Sequence, residues 1–346
     1  EISACLVGSE MCIRDSSQIN GNDCVFAPNN RMRPWESEWQ IQNMYYDLQR
    51  SMKAVPIFNS ENHLIPDRSQ AYVKPSHIYA AVWQGAIHGQ GASTTWAWER
   101  TYDRASDFEG LILHRAGCTA AMSRCALDLM RLSWEVAALQ NIKPRVTLLW
   151  SNAAFVHDRR SMADLRQVYE ALNFCGLPIG FVTDEQIAAG WLVNYDCLIV
   201  AGARAAHHEA IEGIRGYLER SGLVMAYGDG NLVVDQYGWP VKSPRFSKHL
   251  SSKLSGEPLR NRLLFVLRHA GIEPEFVLRT SAGTVAYGVE WRSAVIDGRP
   301  LLNMVNLTRE PIRVKLPPGQ WMDLIQGIPL EGALTLQPNT PVLARG

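Results

Sequence analysis

The chain has 346 residues, 47% of them hydrophobic and 20% charged, an ordinary globular composition with enough apolar material for about two or three domains. Its 34 basic and 34 acidic residues cancel, which argues against nucleic acid or an anionic membrane as the main partner. No apolar run reaches the roughly 18 residues of a membrane span, and no basic segment followed by an apolar one opens the chain as a secretion signal would.

In chain order, residues 1–16 (EISACLVGSEMCIRDS) show neither helical nor alternating periodicity. They resemble translated sequencing-adapter read-through and are set aside as a scar, so the gene is expected to continue upstream of Ser17. Residues 36–52 predict a helix, with Trp39, Met44, Leu48 and Met52 near one face. Ala54–Phe58 is a short apolar strand that ends in the polar cluster Asn59-Ser60-Glu61-Asn62-His63. No strand ending in Asn-Glu precedes residue 54. A helix over 76–88, a strand over Ala92–Trp98 and a long amphipathic helix over 119–140 follow, the last on Met122, Cys125, Leu129, Leu132, Val136 and Leu139. Two β/α units of this kind cannot close a barrel of eight by themselves.

A boundary falls at Asn141-Ile142-Lys143-Pro144. Beyond it, continuous apolar strands at 145–150, 177–182, 195–200 and 223–226 alternate with helices at 160–175, after Asp184, and at 206–221 with Gly222 as its cap. That pattern is a doubly wound parallel sheet. From Glu273 onward, short alternating stretches separated by Asp297-Gly298, Pro317-Pro318-Gly319 and Gly327 predict an antiparallel β-domain, a sandwich in outline. The seven cysteines are odd in number and form no Cys-x-x-Cys pair. They read as buried free thiols of a reducing compartment, which favours the cytoplasm.

In parallel α/β folds chemistry collects at the carboxyl ends of strands. Glu61 is expected just past one such end, and Trp96 and Trp98 at the end of the next. A carboxylate beside flat indoles suits sugars, whose C–H faces stack on aromatic rings. Taken on spacing alone, the better fits are a solvated loop Glu and tryptophans packed in a core or an interface. Asn59, His63 and His88 are the candidate hydrogen-bonding partners of sugar hydroxyls.

Residues 54–66 (AVPIFNSENHLIP), 83–100 (WQGAIHGQGASTTWAWER) and 110–117 (GLILHRAG) resemble the last two β/α units of family 42 glycoside hydrolases. Residues 145–228 look like that family's flavodoxin-like β-galactosidase trimerisation domain, and 300–346 like its small C-terminal β-domain. The resemblance implies an α/β chain in three parts: the C-terminal part of a (β/α)8 barrel over 17–142, a flavodoxin-like parallel sheet over 143–272, and a β-sandwich over 273–346. It implies Glu61 as the nucleophile of a retaining, two-carboxylate mechanism, with Trp96 and Trp98 lining the sugar site. It implies a β-linked oligosaccharide or galactoside as substrate, a homotrimer, and no metal or organic cofactor.

Two departures bear on specificity: Glu99 follows the aromatic-x-Trp where the family has Arg, with Arg100 one later, and the loop 62–75 lacks the family's Trp. The acid/base Glu has no counterpart. Glu36 and Glu38 are expected inside a helix, so the chain alone should be inactive. The rival reading is a non-catalytic carbohydrate-binding or assembly protein on a decayed barrel. His207-His208-Glu209 reads as a polar helix start rather than a metal site, because adjacent helical residues diverge by about 100°. Asp103 and Asp107 read as turn residues. The loop 151–160 has no glycine and so no phosphate cradle for a flavin or nucleotide. Asn306-Leu307-Thr308 matches a glycosylation triplet without a secretion signal to support it.

Overall fold

The computed structural model describes residues 19–21, 23, 26, 34–65, 72–96, 98 and 112–346. The 1–16 segment, Cys5, Cys12, Cys24, the Glu99-Arg100 pair, Asp103 and Asp107 lie outside the described residues. The chain is mixed α/β, with parallel and antiparallel sheets. It divides into two compact units, one of residues 50–54 and 143–274, the other of residues 19–49, 55–142 and 275–346. Among the described residues no helix is long and apolar enough to cross a membrane.

In the second unit, β1 (Asn20–Gly21), β2 (Ile57–His63) and β3 (Gln90–Trp96) form a parallel sheet in that order. Helix α1 (Trp39–Met52) precedes β2, and α2 (Pro75–Ile87) links β2 to β3. The two residues of β1 are held against Ile57 and Phe58. One expectation is corrected here. Glu36 and Glu38 lie before α1 rather than inside it, and Glu36 pairs with Lys74 at 2.7 Å. Pro75 opens α2 in the first-turn position where its missing N–H costs nothing. The helix expected over 119–140 is two: α3 (Ala116–Arg131) and α4 (Ser133–Gln140), broken at Leu132, which leaves the helical region at φ −107°. Apolar periodicity continues through the break because both pieces bury the same side, through Cys125, Val136 and Leu139.

The first unit is a five-stranded parallel sheet. Its strands are β4 (Val146–Trp150), β5 (Ile179–Thr183), β6 (Cys197–Ala201), β7 (Leu223–Tyr227) and β8 (Lys248–Leu250), in the order β5-β4-β6-β7-β8. Every residue of β4, β5 and β6 is buried, as a sheet covered on both faces requires. Alternate residues Leu149, Val182, Leu198, Val200 and Val224 share one core with Ile187 of α7 (Asp184–Ala188) and with Ala210, Ile211 and Ile214 of α8 (His208–Glu219). On the other face Phe181 stacks on Tyr169 of α6 (Ser161–Asn173), with ring centroids 6.0 Å apart. Each such apolar side chain contributes about 1.5–3 kcal/mol by leaving water. α5 (Asn152–His157) occupies the loop after β4, its start capped by the Ser151 hydroxyl. α7 begins with a capping box between Thr183 and Gln186, and the Gln186 amide also donates to the Ser51 carbonyl.

The sequence reading assigned no element to 228–272, where β8 and α9 (Gly256–His269) lie, and it gave the cap of α8 to Gly222. The left-handed residue is instead Ser221, at φ 65°. Gly222 answers a packing demand: a Cβ there would sit 2.4 Å from the Tyr217 ring.

The antiparallel part of the second unit is a sandwich of two sheets. One sheet comprises β10 (Val289–Ile296), β11 (Arg299–Asn306), β16 (Val342–Arg345), β13 (Trp321–Asp323) and β14 (Ile328–Leu330). The other comprises β15 (Ala333–Leu336), β12 (Ile312–Lys315) and β9 (Arg279–Thr280). Trp291, Leu302, Met304, Val314, Trp321 and Leu336 fill the core between them. Asp297 and Gly298 both take positive φ, 51° and 72°, the primed turn that matches strand twist in a two-residue hairpin. Asn306 is fully buried, and its amide donates to the Glu310 and Leu336 carbonyls, so the glycosylation triplet is a structural turn.

Candidate functional site

β2 does not end where its apolar run ends. Ile57 packs against Tyr46, but the strand continues through the polar cluster to His63, because Asn62 and His63 pair with Thr95 and Trp96 of β3. Glu61 therefore stands inside the strand, near its carboxyl end, rather than past it. The pairing skips between Asn59 and Asn62, so Ser60 and Glu61 form a bulge. Two bonds hold that bulge: the Glu61 N–H donates to Asn59 Oδ1 at 3.1 Å, and the Ser60 hydroxyl donates to Asp23 at 2.6 Å. Within these three strands Glu61 is the only acidic residue.

Glu61 and His63 alternate onto one face, with Glu61 Oε2 3.6 Å from His63 Nε2. The Glu61 side chain is 45% exposed and that of His63 19%. The His63 ring lies 6.0 Å from the Trp96 ring at 41°, so carboxylate, imidazole and indole form one continuous half-open surface. Trp96 is the last residue of β3. Trp98 lies beyond the strand and is exposed, and its carbonyl accepts the Leu113 N–H.

Two expected substrate contacts are corrected. His88 is fully buried: Nδ1 lies 2.9 Å from Asp47, Nε2 lies 2.9 Å from Glu290, and Arg292 packs against both. Burial and the Arg292 guanidinium push its pKa down, and the Asp47 and Glu290 carboxylates outweigh them, so the net shift is upward. Both ring nitrogens are taken, and the side chain ties α1 and the end of α2 to β10 instead of meeting a sugar. Asn59 is also fully buried. Its amide donates to Tyr46 Oη at 2.7 Å and its carbonyl holds the Glu61 backbone, so it shapes the bulge from beneath.

Spacing gave no sign of three supporting residues. Tyr46, on α1, accepts from both Asn59 and Gln90 and so joins β2 to β3 from below. His77, on α2, donates Nε2–H to the Leu64 carbonyl just beyond β2, and burial lowers its pKa to about 4, keeping it neutral. Asn62 is buried with neither amide atom hydrogen-bonded. Only Asn62 carried a local cue, being next to Glu61. Among the described residues no group of three or more His, Cys, Asp or Glu side chains could hold an ion.

No family model and no curated protein matches the sequence. Solved structures do. An exo-carrageenase of family GH42 from Bacteroides ovatus superposes with TM-score 0.81 at 22% identity, covering 97% of this chain and 49% of its own. A GH42 β-galactosidase from G. stearothermophilus gives 0.73 at 13% identity, covering 94% and 59%. The β-galactosidase from Bacillus circulans sp. alkalophilus gives 0.70 at 12%, covering 91% and 59%. The chain thus spans about half the length of the structures it matches. Over nearly all of its own length, it has the fold of GH42 glycoside hydrolases.

Proposed function

We propose that this chain is the carboxyl-terminal portion of a retaining glycoside hydrolase that acts on a β-linked oligosaccharide or galactoside. Residues 17–142 are then the tail of the catalytic (β/α)8 barrel, 143–272 a flavodoxin-like oligomerisation domain that builds a homotrimer, and 273–346 an accessory sandwich. The order β5-β4-β6-β7-β8 supports the flavodoxin-like assignment, since the second strand in sequence stands outside the first. The open parallel sheet β1-β2-β3 supports the barrel assignment.

The observation that carries the proposal is Glu61 near the carboxyl end of a parallel strand, half exposed, on one surface with His63 and Trp96. In the intact enzyme the Glu61 carboxylate attacks the anomeric carbon. A second carboxyl group about 5 Å away protonates the leaving oxygen, then activates water. Trp96 offers its ring to the apolar face of the sugar, and His63 orients Glu61 while offering a hydrogen bond to a hydroxyl. The bulge, fixed by Asn59 and Asp23, sets where the carboxylate stands.

A 2-fluoro-galactoside with a good leaving group traps the covalent intermediate of a retaining enzyme. With the chain extended by its upstream coding sequence, peptide mass spectrometry should find one fluorosugar on the peptide containing Glu61. Glu61→Gln should take no label and lose turnover by about 10⁴-fold or more with folding intact. A label on another carboxylate would remove Glu61 from the role. The non-catalytic reading draws on one observation, that Glu61 stands without another acidic residue in its three strands. An upstream sequence with no Asn-Glu after a strand would favour it.

A further inference from the structure

A cavity of about 240 Å³ lies within the second unit, away from Glu61 and its neighbours. The start of α2 and the first half of α3 line it on one side, and the turns β13–β14 and β15–β16 on the other. Its walls are mostly apolar: Pro75, Tyr79, Ala121, Ile325 and Pro341. Among the described residues no charged side chain lines it. The walls are fixed from behind. The Tyr79 hydroxyl donates to Asp128 at 2.8 Å, and its ring stacks on Trp83 at 6.2 Å. The Ile325 carbonyl accepts from Arg131 at 2.8 Å, while the Ile325 N–H donates to Asp323 at 2.9 Å.

One polar side chain in this lining is unexplained. Asn339 is only 1% exposed, and neither its amide oxygen nor its amide nitrogen has a hydrogen-bond partner. Buried polar groups are nearly always paired, because an unpaired one loses its water and gains nothing in return. The backbone does not require this side chain. Asn339 sits at φ 48°, a left-handed position that glycine takes without strain and without burying an amide. The loop holds it firmly, since its N–H donates to the Asn306 carbonyl at 2.8 Å. Beside it the Thr340 hydroxyl donates to the Pro338 carbonyl at 3.2 Å and keeps its lone pairs for an incoming donor.

The lining defines a complementary ligand. An ion is excluded by apolar walls that offer it no counter-charge. The volume equals about eight waters at roughly 30 Å³ each, the space of one small ring. A carboxamide presents an acceptor next to a donor, so its best partner presents the same pair reversed. A secondary amide does so along one edge only when it is cis, and outside a ring the trans form dominates. We propose that this cavity is a binding site for a neutral cyclic amide. The amide edge pairs with Asn339, its C=O accepting from Nδ2 and its N–H donating to Oδ1, while the ring body lies against Tyr79 and the prolines. This site stands apart from the proposed catalysis and does not depend on the role of Glu61.

δ-Valerolactam is the probe, titrated into the isotope-labelled 346-residue chain and followed by the backbone amide resonances. Saturable shifts should appear at residues 76–79, 325–327 and 339–340. N-methyl-δ-valerolactam keeps the ring but lacks the N–H, and it should bind at least tenfold more weakly, a comparison that needs no variant. Asn339→Gly suits the backbone and removes the amide; it should weaken δ-valerolactam about tenfold and bring the two lactams to equal affinity. Ala121→Leu should abolish the shifts by filling the space. Wild-type protein that shows no saturable shift at these residues would overturn the site. Equal affinity of the two lactams for wild type would do the same, as would Asn339→Gly that still prefers the N–H form.

Discussion

Tyr46 shows how little of a site's support is visible in its motif. Its hydroxyl oxygen accepts from Asn59 and Gln90, and Asn59 in turn carries the Glu61 backbone. Tyr46→Phe would remove the oxygen that accepts from the Asn59 and Gln90 amides, and losing a hydrogen bond of this kind costs about 0.5–1.5 kcal/mol. Urea unfolding should show that loss, and an unchanged midpoint would mean the amides find other partners. Glu61, His63 and Trp96 were legible in the sequence because a polar cluster after an apolar run, followed by a strand ending in Trp, leaves few positions for chemistry. Asn59 and His88 were read as substrate contacts on the same reasoning and are buried. Proximity along the chain to a site says nothing about which face of an element a residue occupies once a bulge shifts the register.

At the scale of elements, α1, the end of α2 and β10 meet in a buried ionic cluster of Asp47, His88, Glu290 and Arg292, with Asn43 and Gln84 bonded to Glu290. Two carboxylates outweigh one guanidinium in favouring the protonated form of His88. Its pKa is raised above the ordinary value of 6.5. The sign follows by linkage: the folded state holds the proton more tightly, so this stabilisation is full below about pH 6.5 and is lost as pH rises through the elevated folded value. Thermal melts should show falling stability above neutrality from this source. His88→Gln should flatten that slope while costing about 3–5 kcal/mol overall, as expected when one partner of a buried ionic group is removed. A slope unchanged in the variant would assign the pH dependence to other groups. Nothing in residues 84–90 or 287–293 announces this meeting, because the partners lie some 200 positions apart. The break at Leu132 was hidden for the opposite reason, since a helical period that serves one buried side looks continuous across a kink.

For the whole molecule, the proposed homotrimer predicts that light scattering of the chain extended upstream reads the mass of three copies, and that deleting 143–272 from it yields single copies. A monomer before deletion would end that assignment. Apolar periodicity and turn chemistry by themselves determined most element types from residue 36 to 227, though not β8 and α9, because a strand buried on both faces, an amphipathic helix and an Asp-Gly hairpin are local solutions to local constraints. They determined a parallel sheet after residue 145 and an antiparallel part after 273. Tertiary structure alone decided that β2 runs through its polar cluster, that the sandwich shares one compact unit with most of α1 and with α2–α4, and that His88 is a buried partner of Asp47 and Glu290 rather than a sugar contact. Those outcomes depend on partners distant in sequence: a neighbouring strand that extends a ladder, or a carboxylate from β10 that gives a buried ring nitrogen its partner. Such energies exist only once the chain has brought both groups to the same place.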